Sequence, residues 1–98
     1  MDVRVLFLTR SIRDLEAITA KIAKDNPAAA KAFGLKLAEK ALSLGKFPEM
    51  GRALPEFRDK TIREIVHGHY RIIYRLRSEP KRVHILRFWH AARGTPEI

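Results

Sequence analysis

The sequence predicts an α+β fold: an N-terminal strand, then an antiparallel two-helix hairpin packed on one face of a small, mainly antiparallel sheet of about four strands. Three observations carry this. Apolar residues recur at helical spacing through the first half of the chain. They alternate with polar residues through the last third, and glycines and prolines fall between these stretches. The order strand, helix, helix, then three strands gives the helices one sheet to cover.

Taken in order, residues 3–8 (VRVLFL) are compatible with a strand. Ser11 is placed to cap a helix starting near Ile12, with Asp14 adding negative charge to its first turn. Ile12, Leu15, Ile18 and Ile22 line one face of that helix. Asp25-Asn26-Pro27 ends it and starts a second, because Asn26 is a good cap and proline is tolerated in a first turn. Phe33, Leu37, Ala41 and Leu44 share a face of the second helix, which stops at Gly45 with Pro48 beyond. A joint this short predicts an antiparallel hairpin. Residues 46–60, with Pro48, Gly51 and Pro55, read as a connecting loop. Thr61–His67, His69–Arg77 and Arg82–His90 read as three strands, bent at Gly68 and at Ser78–Lys81.

The 98 residues read as one domain, 1–98, with room for one modest core. An apolar fraction of 46% with 32% charged residues describes a globular chain and not a disordered one. Without cysteine, disulfides, thiolate catalysis and Cys-ligated zinc are excluded. No apolar run approaches the roughly 20 residues of a membrane span, so no membrane partner is expected, and the absence of cysteine fits a reducing cytoplasm. No cofactor or metal is expected: His67 and His69 flank Gly68 with no third ligand nearby.

The net charge of +9 favours an anionic or acidic partner. Residues 1–50 hold three Arg and six Lys against six acids, for +3; residues 51–98 hold nine Arg and two Lys against five acids, for +6. Arginine, whose planar fork grips phosphate or carboxylate, is thus concentrated in the second half. With Ser78–Lys81 as a loop, alternation puts Tyr70, Ile72, Tyr74, Leu76, Val83, Ile85, Arg87 and Trp89 on the helix-covered face. It puts His69, Arg71, Ile73, Arg75, Arg77, His84, Leu86, Phe88 and His90 on the other. With His67-Gly68 as a two-residue turn, Glu64 falls opposite Arg71, so that Glu64, Arg71 and His90 cluster. An acid, an arginine and a histidine are chemically sufficient to cleave RNA without metal: base and acid move the protons while arginine stabilises the phosphate. The competing readings are a cross-strand ion pair for Glu64 and Arg71, and a strand-end histidine satisfied by backbone for His90.

These residues carry a resemblance. The chain resembles the ParE/RelE superfamily of bacterial type II toxins, known also from plasmid stabilisation systems, across nearly its whole length. The matching features are Asp14-Leu15, Asn26-Pro27-Ala28-Ala29, Phe47-Pro48-Glu49-Met50-Gly51-Arg52, Ile62-Arg63-Glu64-Ile65, Tyr70-Arg71-Ile72-Ile73-Tyr74 and Leu86-Arg87-Phe88-Trp89-His90-Ala91-Ala92-Arg93. It implies a growth-arresting toxin neutralised by a cognate antitoxin in a hetero-oligomer. ParE-like members poison DNA gyrase, whereas RelE-like members cut ribosome-bound mRNA without metal. Pro48–Arg52 and His90–Arg93 look closer to the ParE-like side, which makes gyrase the expected target. For a nuclease, the resemblance places Arg71 and His90 at active-site positions, with Glu56 or Glu64 as the acid. The sequence departs from the nuclease pattern in having no tyrosine after His90 and in continuing for eight more residues. Arg63, Arg75, Arg77, Arg87 and Arg93 are the candidates for binding a target or phosphate. A third reading is a nontoxic relative that binds nucleic acid or antitoxin.

Overall fold

A computed structural model describes residues 2–98. The order is β1 (Arg4–Phe7), α1 (Thr9–Ala23), α2 (Pro27–Leu42), a 3-10 turn (Ser43–Gly45), β2 (Arg52–Ala53), β3 (Ile62–His67), β4 (Tyr70–Arg77), β5 (Arg82–His90) and a second 3-10 turn (Ala91–Arg93). The five strands form one sheet in the order β1-β5-β4-β3-β2, with β1 parallel to β5 and every other pair antiparallel. Both helices lie on one face. Among the described residues, no helix is long and apolar enough to cross a membrane.

The main core lies between helices and sheet. Ile18, Leu37, Ala41 and Leu44 meet Ile65, Ile72, Tyr74, Val83, Ile85 and Phe88, with Val3, Val5, Phe7, Leu15, Ile22 and Phe33 around them. The helical spacing thus placed Leu15, Ile18, Ile22, Phe33, Leu37, Ala41 and Leu44 correctly, whereas Ile12 is exposed. Asn26 caps α2 as expected, its Oδ1 accepting from the Ala29 amide at 3.0 Å.

The start of α1 differs from the sequence expectation. The Leu8 amide still donates to the Ile85 carbonyl at 3.0 Å, so the chain turns directly from the sheet into a helix that begins at Thr9. Ser11 is therefore inside the helix and buried, its hydroxyl donating back to the Leu8 carbonyl at 2.7 Å. Asp14 lies beyond the first turn and serves β5 instead. Its Oδ2 accepts from the Phe88 amide at 3.0 Å.

Two register features correct the strand reading. The β3–β4 turn is Gly68-His69 and not His67-Gly68, and Gly68 has φ +60°, a conformation that favours glycine. Glu64 therefore pairs with Ile73, two residues from the expected Arg71, which keeps Glu64 and Arg71 on one face. A bulge then inserts Leu86 into β5, between the pairs Tyr74–Ile85 and Ile73–Arg87. Beyond it the alternation of β5 reverses. Phe88 and His90 join the helix side beside Ile72 and Tyr70, while Trp89 pairs with Arg71 and packs on the outer face.

The fifth strand, β2, was not expected from the sequence. It is only two residues long and pairs through Arg52–Glu64 and Ala53–Arg63. After it, the chain folds over the outer face. Leu54 and Phe57 pack on Ile62, Ile73, Leu86 and Trp89, making a second, smaller core.

Candidate functional site

The outer face carries an ion-pair cluster beside the second core. Arg71 on β4 donates from both terminal nitrogens to Glu56 at 2.8 and 2.9 Å, a bidentate pair. Its Nε donates to Oε1 of Glu64, whose side chain is completely buried. The other oxygen of Glu64 accepts from Arg52 on β2 at 2.7 Å. Two carboxylates thus hold Arg71 from two directions. Hydrogen bonding to Glu56, ahead of Glu64, pushes the arginine further up from its ordinary value. The same bond holds the Glu56 carboxyl below the usual carboxylate range.

Arg52 reaches Glu64 because the preceding loop is tied to the sheet. The Gly51 amide donates to the Tyr74 hydroxyl at 3.0 Å, and that hydroxyl donates to the Pro48 carbonyl at 2.8 Å. A Cβ at residue 51 would come 2.5 Å from the Tyr74 oxygen and 2.7 Å from the Glu64 carbonyl, so only glycine fits. Burial pushes the Tyr74 hydroxyl above its ordinary pKa. Arg63, on the helix-covered face beside Tyr74, completes the tie. It donates to the carbonyls of Glu49 at 3.1 Å and Gly51 at 2.9 Å. The loop so fixed leaves Phe47 and Met50 exposed.

His90 stands apart from the cluster. It pairs with Tyr70 on the helix side, and its ring meets the Tyr70 ring edge-on at 5.1 Å. Its Nδ1 accepts from the Ala92 amide at 3.0 Å, which caps the last 3-10 turn and puts the proton of the neutral ring on Nε2. His90 lines a groove of about 370 Å³ with Asp14, Lys21, Tyr70 and Arg93. The cluster expected from the strand pattern is therefore split. Glu64, Arg71 and Glu56 meet on one face of the sheet, and His90 lies on the other.

The chain matches the family of the ParE toxin of the type II toxin-antitoxin system parDE over residues 5–94. The chain belongs to this toxin family. Toxin RelE2 of Caulobacter vibrioides is 37% identical over 90 residues, which span 92% of this chain and 97% of that protein. The chromosomal ParDE toxin–antitoxin system of P. aeruginosa shares the fold, with a TM-score of 0.73 at 18% identity over 90% of this chain and 95% of that one. The toxin–antitoxin complex RelBE2 from Mycobacterium tuberculosis gives a TM-score of 0.65 at 28% identity, over 92% of this chain and 99% of that one. ParE and RelE relatives thus both surround this chain. The superfamily and the fold agree with the sequence reading.

The five arginines of this ParE-family chain that the sequence offered for binding a target, Arg63, Arg75, Arg77, Arg87 and Arg93, differ in what they already hold. Arg87 gives its fork to Asp14, at 2.6 and 2.8 Å, and a third bond to the Glu97 carbonyl at 2.7 Å. That bonding to Asp14 raises its already high pKa. Arg93 lies over the Trp89 ring, 3.8 Å from its centroid, a cation–π contact. Arg63 and Arg87 are thus spent on the chain's own groups. Arg75 and Arg77 instead occupy the outer face of β4, where Arg75 has a distant carboxylate, Asp59 at 3.8 Å, and Arg77 has none within 4.0 Å among the described residues.

Of these residues, Arg52 and Tyr74 were missed as part of the site. The signal for Arg52 was its place directly after Gly51 between two prolines. A two-residue strand is too short to show alternation.

Proposed function

We propose that this chain is a growth-arresting toxin neutralised by a cognate antitoxin in a hetero-oligomer, and that it acts on DNA gyrase and not on mRNA. The observation that carries the choice is the split of the would-be nuclease groups. Metal-free RNA cleavage needs a proton acceptor, a proton donor and a cation converging on one phosphate. Here Arg71 is already gripped by Glu56 and Glu64, and His90 faces the opposite side of the sheet. An arginine neutralised by two carboxylates has little to offer a developing phosphate charge. It serves better as a strut that fastens residues 54–60 to the sheet. The antitoxin partner rests on the family and on the RelBE2 and ParDE complexes that share this fold.

A nuclease remains the second reading because His90, Lys21 and Arg93 line one groove, and because a 37% identical relative carries the RelE2 name. One experiment separates the readings. The toxin is induced without antitoxin, and mRNA integrity and plasmid supercoiling are scored within minutes, for the unmodified chain and for Arg71→Lys and His90→Ala. Altered supercoiling with intact transcripts and undiminished arrest in His90→Ala is the expected result. Rapid transcript cutting that His90→Ala abolishes would overturn the gyrase reading. No arrest by the unmodified chain would favour the nontoxic binding module.

A further inference from the structure

At the end of the outer face opposite the Glu64 cluster, cations stand side by side on three neighbouring strands. Arg4 on β1 pairs with Arg82 on β5, and Arg82 pairs with Arg77 on β4. One row further in, His84 pairs with Arg75. Val3, Val5, Tyr74, Leu76, Val83 and Ile85 all point into the main core, so by alternation these five basic residues share the outer face. Directly opposed like charges on a sheet are destabilising. Here, among the described residues, no carboxylate lies within 4.0 Å of Arg4, Arg77 or Arg82, and the one near Arg75, Asp59, stands at 3.8 Å. The Arg82 Nε donates to Nε2 of His84 at 3.1 Å, which keeps that ring neutral on its bonded side. A second acid, Glu79, sits in the exposed turn beyond Arg77 without pairing to these arginines.

We infer that this row is a binding site for the phosphate backbone of duplex nucleic acid, distinct from the Arg71 cluster and from the His90 groove. The residues are arginines, whose forks suit phosphate oxygens, and they are spaced by the interstrand distance of roughly 4.8 Å, about 10 Å across the three strands. The aromatic residues of this face, Trp89 and Phe57, are packed into the second core and not displayed beside the row. Single strands need stacking platforms, whereas a duplex backbone needs only the cations, so the duplex is the fitting occupant. Such binding reads no sequence. It would bring the toxin to a nucleic-acid-bound target whichever macromolecule the toxin poisons, so it stands or falls separately from the gyrase reading.

The test is the binding of a fluorescently labelled random-sequence duplex to the purified full chain at several salt concentrations. With four arginines engaged, log K falls against log salt with a slope of about −3 to −4, roughly a 100-fold loss between about 50 and 200 mM. The variant Arg4→Ala/Arg77→Ala removes two exposed side chains that make no hydrogen bond or ion pair among the described residues. It should flatten the slope by about 2 and weaken binding at least about tenfold, with an unchanged or higher melting temperature. Histidine NMR gives a second reading: on adding duplex, the His84 titration moves upward. A slope unchanged in the double variant, or a His84 that does not respond, overturns the site. Equal affinity for a polyglutamate peptide of matched charge would also overturn it, by assigning the row to an acidic protein.

Discussion

The two ends of the outer face use the same side chain in opposite ways. At one end Arg71 and Arg52 enclose the buried Glu64, and Glu56 closes over Arg71 from the loop. At the other end Arg4, Arg82 and Arg77 stand in a row with no carboxylate within 4.0 Å among the described residues. Between them lies the small core of Leu54, Phe57, Ile62, Ile73, Leu86 and Trp89. The difference teaches that an arginine count says little about function until the partners are known. A compensated arginine fastens the fold, and an uncompensated one is available to a ligand at some cost in stability.

The largest effect is expected at the compensated end. Glu64→Ala leaves Arg52 unpaired and Arg71 half-paired beside a buried face, so it should destabilise the chain by about 3 kcal/mol, read from the midpoint of urea unfolding. A loss below about 1 kcal/mol would mean that the cluster is solvated like an ordinary surface pair. Glu56→Gln is smaller, below about 1 kcal/mol, because Glu56 is partly exposed and screened. Its signature is the pH dependence. The folded Glu56 carboxyl titrates below its ordinary value of 4.5, so its contribution is fully present above that pH and is lost as pH falls through the lower folded value. The Gln variant should lack this part of the acid destabilisation. An identical acid profile in both proteins would remove Glu56 from the strut.

At the uncompensated end the effects are smaller, and for the arginine substitution the sign reverses. Burial first, then Arg82, Arg77 and Arg75, hold His84 below its ordinary value of 6.5. The unfolded chain takes up that proton more readily, so stability falls as pH drops through 6.5 and levels off below the folded value. A thermal melt series between about pH 7.5 and 5.5 should show this in the unmodified chain and not in His84→Gln. Last, Arg77→Ala should raise stability by a few tenths of a kcal/mol at low salt, a gain that fades as salt screens the row. If Arg77→Ala destabilises, the row is not under repulsion and the comparison fails.

Much of this was legible in the chain. The Asn26-Pro27 joint, the apolar faces of Leu15, Ile18, Leu37 and Ala41, and the strand bounds of β3, β4 and β5 follow from periodicity and caps, which act over one turn or two. The shared face of Glu64 and Arg71 also followed, even with the turn misplaced by one residue, because the resulting shift in pairing was even. His90 did not follow. The inserted Leu86 changes parity by one and sends His90 to the helix side, and nothing in HILRFWH marks where a bulge falls. Asp14 is a similar case: a plausible helix-dipole residue by position, it instead holds Arg87 and the Phe88 amide, 73 and 74 residues away in sequence.

By itself, then, the sequence determined the two helices and the four longer strands, the two-layer architecture, the family and the arginine-rich second half, since all of these are local pattern or composition. The tertiary structure alone decided which arginines are neutralised and which are free. That choice depends on a two-residue strand bringing Arg52 to Glu64, on a loop laying Glu56 over Arg71, and on one extra residue in β5. Charge pairs form over a few ångströms between segments far apart along the chain, and no periodicity encodes that distance.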